Sequence, residues 1–468
     1  MTDSSDLILP DTGQEARSIH LVDAKGYDAW LSARPERDRA ALSAQKFAGK
    51  GATYAILPAE RVEDWSVVAG VANAASLSTW CLAKLAEALP QECYRVAAEM
   101  ETGGALFGWL AAQYRFDRYR TRKDDAPAGP RVLLTKDVAR IEPAVRLARA
   151  TYLVRDLVNT PAADMGPAEL EAAAEAVARN HDATLVITQG DTLEQHYPMI
   201  HAVGRAAARS HAPRLIELNW GNPAHPRVAI IGKGVCFDSG GLDIKPSSAM
   251  RLMKKDMGGA AHALALAQLI MESRLPVRLH LLIPAVENAI AGNAFRPGDV
   301  LATRLGLTVE IGNTDAEGRL VLGDAITKAC EDAPELILDF ATLTGAARVA
   351  LGPELPALFA NDDALAAELG QAGAAVDDPL WRLPLWEGYE DMLKSDIADI
   401  ANAGDSGFAG AITAALFLRK FVNGSAAQWA HFDTFAWRNA AKPGRPKGGD
   451  ALGLRAAFAM IEARYPRS

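Results

Sequence analysis

Three glycine-punctuated stretches that carry acids and lysines constrain the fold more than any other feature of this sequence. They are Gly232–Gly241, Lys255–Ala260 and Asn313–Arg319, and each stands at a predicted strand end or helix start. Carboxylates that approach one another closely repel and lose hydration, so several of them on one buried rim imply cations that hold them together. The sequence therefore predicts a two-metal hydrolytic site.

Strands and helices alternate in the second part of the chain, which indicates a sheet covered by helices. The short apolar runs are Thr184–Ile187, Val228–Ile231, Leu279–Ile283 and Leu336–Phe340, and the helical patterns include Gly259–Met271 and Leu320–Cys330. We predict an α/β fold with a mixed central sheet flanked by helices in a C-terminal catalytic domain. A smaller α/β domain is expected at the N-terminus.

A polar, Pro- and Gly-bearing break at 123–130 predicts a domain boundary. Beyond it, apolar residues recur at helical spacing from Glu142 to Val158, and Asn159–Pro161 ends that pattern. The predicted organisation is a small N-terminal domain over 1–135, a connecting helix over 136–158 and a catalytic domain over 159–468. One uncharged stretch, Trp65–Ala83, is too polar for a membrane span and predicts a buried helix.

Composition argues against several classes of function. The chain has 468 residues, 49% of them hydrophobic, and its formal net charge of -9 argues against a surface dedicated to nucleic acid or anionic membrane. Four cysteines without CxxC spacing predict neither a disulfide framework nor a thiolate zinc site. The acidic N-terminus lacks the features of a secretory signal, so we expect a cytoplasmic protein.

The candidate ligands follow predicted strands at the edge where open α/β sheets place their ligands. Lys233 and Asp238 come after Val228–Ile231, and the acids of Asp315–Glu317 come between a strand at 308–311 and a helix from Leu320. Asp256 precedes two glycines at another helix start. Each stretch alone is typical of a solvated turn, but the combination is poorly explained by coincident surface loops.

Other site chemistries find less support in the sequence. Gly232–Gly234 lacks the residue order of a P-loop, and the nine histidines form no zinc-binding pattern. His431 is expected to be a structural hydrogen-bonding residue. A two-metal phosphoesterase would want histidine ligands or several arginines near the metals, and only Arg319 is evident.

These motifs resemble those of the leucyl aminopeptidase (cytosol aminopeptidase) family of two-metal exopeptidases. The match at Asn313–Leu320 is highly specific, and the similarity runs from about Asn159 to the C-terminus, with a weaker match before it. The resemblance implies metal ligands, a catalytic pair and substrate-binding residues. The ligands are Lys233, Asp238, Asp256, Asp315 and Glu317, the pair is Lys245 and Arg319, and the substrate-binding residues are Met253, Thr342, Leu343, Gly345 and Phe435.

The chemistry of these residue types agrees with that assignment. A lysine can ligate a metal only as the neutral amine, which nearby dications favour by lowering its pKa. Two metals can share a bridging hydroxide that attacks the scissile carbonyl, while Lys245 neutralises the oxyanion. Asp256 and one metal would hold the free α-amine of the peptide. The resemblance further implies that Arg319 holds a bicarbonate that shuttles a proton.

Several points stay open at the level of sequence. The oxygen-rich ligand set admits Mn²⁺, Zn²⁺ and Mg²⁺. The resemblance implies removal of the N-terminal residue from peptides by a homohexamer, and the alternative is an architectural DNA-binding family member with secondary peptidase activity. Phe435 and Trp437 stand where many relatives carry small or aliphatic residues, and they are expected either to reshape the pocket for the first residue or to pack the core.

Overall fold

Two units make up the chain in the computed structural model, which describes residues 5–61, 63–97, 102–121, 130–404, 406–422 and 424–467. One unit comprises Met1–Tyr152 and Asn439–Lys447, and the other comprises Leu153–Arg438 and Gly448–Ser468. The division falls inside a helix, Ile141–Asn159. The domain limits expected from the sequence stay predictions, and the break at 123–130 lies, apart from Pro130, outside the described residues.

The first unit is built on a mostly parallel sheet. Its strands are β1 (Ile8–Pro10), β2 (Arg17–Val22), β3 (Thr53–Pro58), β4 (Trp65–Gly70), β5 (Cys93–Val96) and β6 (Val132–Thr135). Their order is β1-β6-β5-β2-β4-β3, with an antiparallel β3–β4 pair at one edge. The helices are α1 (Tyr27–Ser32), α2 (Glu36–Ala44), α3 (Ala83–Ala88) and α4 (Ala105–Ala111). The fully buried rings of Tyr94 and Trp109 lie 5.9 Å apart in its core.

The prediction of a buried helix over Trp65–Ala83 is wrong. The segment begins with strand β4, which pairs with β2 and β3, and a helix begins only at Ala83. Val67 and Val68 are both fully buried and belong to different hydrophobic clusters, because neighbouring residues of a strand face opposite sides. A strand covered on both faces is apolar throughout and lacks the alternation that identifies a half-exposed strand.

The second unit contains a mixed central sheet, as predicted. The strands of the second unit are β7 (Thr184–Gln189), β8 (Arg214–Trp220), β9 (Arg227–Gly232), β10 (Gly234–Asp238), β11 (Arg278–Asn288), β12 (Val300–Ala302), β13 (Thr308–Glu310), β14 (Leu336–Ala341), β15 (Ala357–Ala360), β16 (Trp381–Arg382), β17 (Ile400–Ala401), β18 (Gln428–Asp433), β19 (Trp437–Arg438) and β20 (Gly448–Gly449). Strands β12, β13 and β17 form a separate small sheet, and β19 pairs with β20. The central order is β16-β15-β18-β14-β9-β11-β8-β7, and β10 also pairs with β11. Strands β18, β14, β9, β11 and β10 run in one direction.

Helices cover this sheet. Helix α5 (Ile141–Asn159) contains the division between the two units. The other helices of the second unit are α6 (Pro167–Asn180), α7 (Asp191–His196), α8 (Pro198–Gly204), α9 (Ser247–Met250), α10 (Gly258–Glu272), α11 (Glu317–Glu331), α12 (Gly345–Leu351), α13 (Asp363–Ala375), α14 (Gly410–Val422) and α15 (Leu454–Arg464). Short 3₁₀ turns lie at Val138–Arg140, Ala162–Asp164, Arg209–His211, Met253–Met257 and Glu387–Leu393. Helix α10 is buried along nearly its whole length, because it packs on β9 and β14 and is covered by α15.

Close approach of α10 to the sheet depends on one glycine. A Cβ atom at Gly259 would lie 2.2 Å from the carbonyl oxygen of Phe340 in β14. Glycine therefore allows the first turn of α10 to pack directly against the backbone of the sheet. This contact sets the position of the 3₁₀ turn Met253–Met257, which immediately precedes the helix and carries Asp256.

Candidate functional site

Polar side chains collect at the edge where the parallel strands of the second unit end. Asp433, Asn288 and Asp238 close strands β18, β11 and β10, while Thr342 and Lys233 directly follow β14 and β9. Parallel strands bring their carboxyl ends to the same side of a sheet, so residues far apart in sequence meet there. Lys233 does not belong to a long loop, because β10 begins at the next residue.

Lys233 lies at the centre of one half of the site. It is 2% exposed, and its Nζ lies 2.6 Å from Asp256 Oδ2 and 2.9 Å from Glu317 Oε1. A Cβ atom at Gly318 would come within 2.5 Å of Lys233 Cε, so the glycine leaves room for the lysine side chain. Glu317 is the first residue of α11, which starts three residues before the predicted start at Leu320.

Lys245 lies at the centre of the other half. Its Nζ is 2.7 Å from Asp238 Oδ2 and 2.5 Å from Asp315 Oδ1. The second oxygen of Asp238 accepts hydrogen bonds of 2.9 Å from the Gly240 N–H and from Asn288 Nδ2. The structure thus brings the two predicted lysines and all four predicted carboxylates into one cluster, in which Lys245 and Asp315 are only partly buried.

Three of the carboxylates are placed for cation binding. Asp238, Asp315 and Glu317 each offer an oxygen within 4.8 Å of the others. Among the described residues, these three side chains form the group of His, Cys, Asp or Glu that could hold a metal ion. Burial, together with the charge of Asp238, raises the pKa of Glu317 to about 8 and that of Asp315 to about 6. Divalent cations would relieve this repulsion, and their preferred ligands are carboxylate oxygens, so the residues fit such ions.

Lys233 must lose a proton before it can act as a metal ligand. Burial lowers its pKa, but the Asp256 and Glu317 carboxylates outweigh that effect and hold the pKa of Lys233 above its usual value. Lys233 is therefore an ammonium in these ion pairs. Metal ligation needs the neutral amine, and dications at the same carboxylates would favour loss of the proton because like charges repel.

Arg319 lies in the first turn of α11. Its Nη1 donates a 2.6 Å hydrogen bond to the carbonyl oxygen of Asn402, and its buried Nε has no hydrogen-bond partner among the described residues. Burial lowers the pKa of Arg319 to about 10, which leaves the guanidinium charged at neutral pH. An unpaired donor on a buried cation is the kind of group that binds a small anion.

Two of the predicted substrate-binding residues, Thr342 and Met253, lie beside Asp256. Thr342 Oγ1 donates to Asp256 Oδ1 at 2.7 Å, and Met253 opens the 3₁₀ turn that carries Asp256. The N–H of Leu343 donates to Asp433 Oδ1 at 3.0 Å, so this group is occupied within the protein. Gly345 begins α12, and a Cβ atom there would meet open space.

Phe435 and Trp437 differ in exposure and in the cations that they contact. Phe435 is partly exposed, with Lys255 Nζ 4.7 Å from its ring centroid, whereas Trp437 is 9% exposed and faces Lys254 Nζ at 5.6 Å. Burial lowers the pKa of Lys255 to about 8, so its ammonium remains the main form at neutral pH. The two aromatic side chains, expected from the sequence to act alike, therefore lie in different surroundings.

Sequence reasoning missed several residues that hold the site together. Asn288 Nδ2 bonds both Asp238 and the carbonyl oxygen of Thr314, at 2.9 and 3.1 Å, and so links two segments that carry ligands. Asn402 Oδ1 accepts the N–H groups of Gly312 and Asn313 at 2.8 and 3.2 Å. The only sequence signal for Asn288 is a polar residue that closes a long apolar run.

His431 serves the structural role that the sequence indicates. Its Nδ1 lies 2.5 Å from Asp339 Oδ1, and both side chains are almost completely buried. The other oxygen of Asp339 accepts a 2.7 Å hydrogen bond from Trp429 Nε1. His431 thus belongs to a hydrogen-bonded core network in strands β14 and β18.

Comparison with known proteins places the chain among the metallo-exopeptidases, which are hydrolases. Residues 152–458 match the family model described as cytosol aminopeptidase family, catalytic domain, and residues 18–128 match that of the M17 aminopeptidase N-terminal domain. The chain belongs to the cytosol aminopeptidase family. The family resemblance and the two-domain α/β fold expected from the sequence are both confirmed.

Individual relatives agree with this assignment. A probable cytosol aminopeptidase of Roseiflexus castenholzii is 41% identical over 382 residues, which cover 78% of this chain and 76% of the relative. The crystal structure of cytosol aminopeptidase from Coxiella burnetii, 46% identical, aligns with a TM-score of 0.92 over 98% of this chain and 100% of that one. The bottromycin maturation enzyme BotP in complex with Mn is 29% identical and aligns with a TM-score of 0.86 over 96% of this chain and 100% of BotP.

A helix that crosses a bilayer must be both long and predominantly apolar. None of the described helices is both long enough and apolar enough to cross a bilayer.

Proposed function

We propose that the enzyme removes the first residue from peptides with a free α-amine, using two divalent cations. The proposed ligands are Lys233, Asp238, Asp256, Asp315 and Glu317. The observation that carries the proposal is the convergence of the buried Asp238 and Glu317 with the partly exposed Asp315, whose oxygens lie within 4.8 Å of one another. Family membership supports the reaction class independently of this geometry.

The cations, when bound, supply a deprotonated water as nucleophile and polarise the scissile carbonyl. The chain's own residues position the reacting groups. Asp256 offers a buried carboxylate to the α-amine of the peptide, and Thr342 fixes that carboxylate through its hydroxyl. Lys245 presents an ammonium to the oxygen that gains charge in the tetrahedral intermediate. The guanidinium of Arg319 would hold a bicarbonate that carries the proton.

Manganese and zinc are the cations that we propose first, with magnesium as a further candidate. The donor set consists of carboxylate oxygens and one amine, which suits all three ions. BotP, whose structure contains Mn, is a relative that supports a manganese site. Substrate peptides, a cytoplasmic location and a homohexameric assembly belong to the same proposal, and the names of relatives and the four free cysteines support the location.

No observation favours the DNA-binding alternative. The net charge of -9 opposes a large contact with phosphates, and the buried carboxylate cluster has no use in that role. The metal-ligating cluster found among the described residues contains no histidine, which also disfavours a phosphoesterase with histidine ligands.

The test combines metal removal with a substrate panel. Exhaustive chelation is expected to abolish hydrolysis of aminoacyl substrates, and Mn²⁺ or Zn²⁺ is expected to restore it, because the nucleophile depends on the cations. N-acetylated versions of the same substrates serve as the control and are expected to resist hydrolysis. Full activity in protein shown by elemental analysis to be metal-free would refute the mechanism, and equal hydrolysis of acetylated substrates would refute the requirement for a free amine.

A further inference from the structure

Two cations near Asp256, the buried Lys255 and the partly buried Arg348, have hydrogen-bond donors without a partner among the described residues. Lys255 is 5% exposed, and within the described residues its ammonium makes no hydrogen bond or ion pair. The guanidinium of Arg348 bonds Asp433 through Nη2 at 2.9 Å, while its Nε and Nη1 are buried without a hydrogen-bond partner among the described residues. Buried cations of this kind normally have an anionic partner, because removing a charge from water is costly.

The nearby carboxylates are already occupied. Asp433 accepts from the N–H groups of Leu343 and Thr344, from Thr344 Oγ1 at 2.6 Å and from Arg348. Asp256 pairs with Lys233 through one oxygen and accepts from Thr342 through the other. Among the described residues, neither carboxylate therefore forms a direct ion pair with Lys255.

Both cations surround one aromatic side chain. Lys255 Nζ lies 4.7 Å and Arg348 Cζ lies 6.0 Å from the ring centroid of Phe435. Contact with a ring face offsets part of the cost of burying an ammonium, but it leaves the hydrogen-bond donors of the ammonium unused. The cluster of Lys255, Arg348 and Phe435 thus presents unused hydrogen-bond donors on positively charged groups, which an anion can accept from.

We propose that this cationic cluster binds a carboxylate of the substrate, namely the side chain of a glutamate or aspartate at the first position of the peptide. The inference rests on the proposed function, in which Asp256 binds the α-amine of that residue. Lys255 directly precedes Asp256 in the 3₁₀ turn Met253–Met257, and its ammonium contacts Phe435, which is partly exposed. A first side chain that reaches Phe435 would therefore meet the cluster. First residues with positive side chains are expected to be poor substrates.

The experiment compares glutamyl, glutaminyl and leucyl substrates whose C-termini are blocked as amides. Glutamate and glutamine differ in charge but hardly in size. The wild-type enzyme, loaded with Mn²⁺, is expected to favour glutamate over glutamine in kcat/KM by about 10- to 100-fold, the range given by a charged hydrogen bond in a buried site. In the Lys255→Met variant this ratio is expected to fall to about 1, because methionine keeps much of the side-chain volume without the charge.

Two further variants separate charge from folding. Lys254→Met is the matched control, because the neighbouring lysine also contacts an aromatic ring but its Nζ bonds the carbonyl oxygen of Asn159 at 2.5 Å. It is expected to retain the wild-type ratio. Lys255→Arg preserves the charge and is expected to retain a preference for glutamate, which a purely structural role for Lys255 would not predict.

The outcomes distinguish this inference from the proposed function. Hydrolysis of leucyl and glutaminyl substrates without any preference for glutamate would overturn the inference and leave the aminopeptidase function intact. Failure to hydrolyse any substrate of the panel would instead refute the function.

A separate comparison of Leu-Ala with its amide identifies the source of the carboxylate. A preference for the free acid that is lost in Lys255→Met would assign the cluster to the C-terminal carboxylate and overturn the assignment to the first side chain.

Discussion

At the scale of single residues, the two lysines of the site differ in burial as well as in partners. The side chain of Lys233 is 3% exposed and pairs with carboxylates that are equally buried. The side chain of Lys245 is 13% exposed, and its partner Asp315 is 32% exposed. A metal ligand is expected deep in the cluster, whereas a group that contacts the substrate needs access from outside. The difference in burial therefore supports the roles proposed for the two lysines.

Parallel alanine substitutions test these roles. Lys245→Ala is expected to lower kcat by about 10²–10³-fold, as when an oxyanion donor is lost, while the metal content stays unchanged. Lys233→Ala is expected to lose metal, because it removes a proposed ligand and leaves Asp256 and Glu317 without their shared partner. Steady-state kinetics and elemental analysis of the purified variants give both quantities. Loss of metal from Lys245→Ala, with Lys233→Ala still loaded, would show that the roles are reversed.

The acids and Lys233 could be singled out from the sequence because they lie in short stretches next to glycines, whereas Lys245 lies outside those stretches and came from the family resemblance. Asn288 and Asp433 could not be singled out, because their contributions depend on partners that are distant along the chain. Asn288 contacts Asp238, which is 50 residues away, and Asp433 contacts Leu343, which is 90 residues away. Lys255 was visible as part of a motif, but the absence of a partner within the described structure is a property of the folded cluster alone.

At the scale of secondary-structure elements, the order of strands explains why the site lies where it does. The carboxyl ends of strands β18, β14, β9, β11 and β10 lie on the same side of the sheet. Of these strands, β14, β9 and β11 were predicted from their apolar runs. Two features were less accessible. The strand β10 follows β9 after a single residue, and β4 is apolar on both faces, so neither shows the pattern of an isolated half-exposed strand.

Asn288 offers a test of how the strand edge supports the site. Asn288→Ala removes the hydrogen bonds that hold Asp238 and the Thr314 carbonyl, so the affinity for metal is expected to fall by about 10- to 100-fold, as is typical of residues that orient ligands. Metal titration followed by activity and by direct binding measures the change.

A matched control for this variant lies in the loop after the same strand. Asn293→Ala removes an exposed hydrogen bond to the carbonyl oxygen of Arg205, which is not among the proposed ligands, and this variant is expected to bind metal normally. Unchanged metal affinity in Asn288→Ala, with only a lower melting temperature, would limit Asn288 to a role in stability.

At the scale of the whole molecule, the segment Asn439–Lys447 shows what local patterns cannot reveal. It lies near the C-terminus but belongs to the first unit, while the residues on both sides of it belong to the second. A sequence read from one end to the other assigns it to the catalytic domain, because apolar periodicity carries no information on which distant surface a segment joins. The fold class, which depends on local periodicity, was accessible to that reading.

The expected homohexamer is the last prediction at this scale. Several large apolar side chains between Val349 and Phe408 are exposed, including Ile397 at 65%, Trp386 at 61% and Trp381 at 59%. Such exposure is typical of surfaces that contact another protein. Light scattering coupled to size exclusion is expected to give six times the mass of the chain.

Trp386→Lys is expected to lower this mass, because burying an unpaired charge opposes association. Ile56→Lys, at an exposed position in the first unit, serves as the matched control. A monomeric wild-type enzyme at working concentration would contradict the prediction, and an unchanged mass for Trp386→Lys would place Trp386 outside the interface.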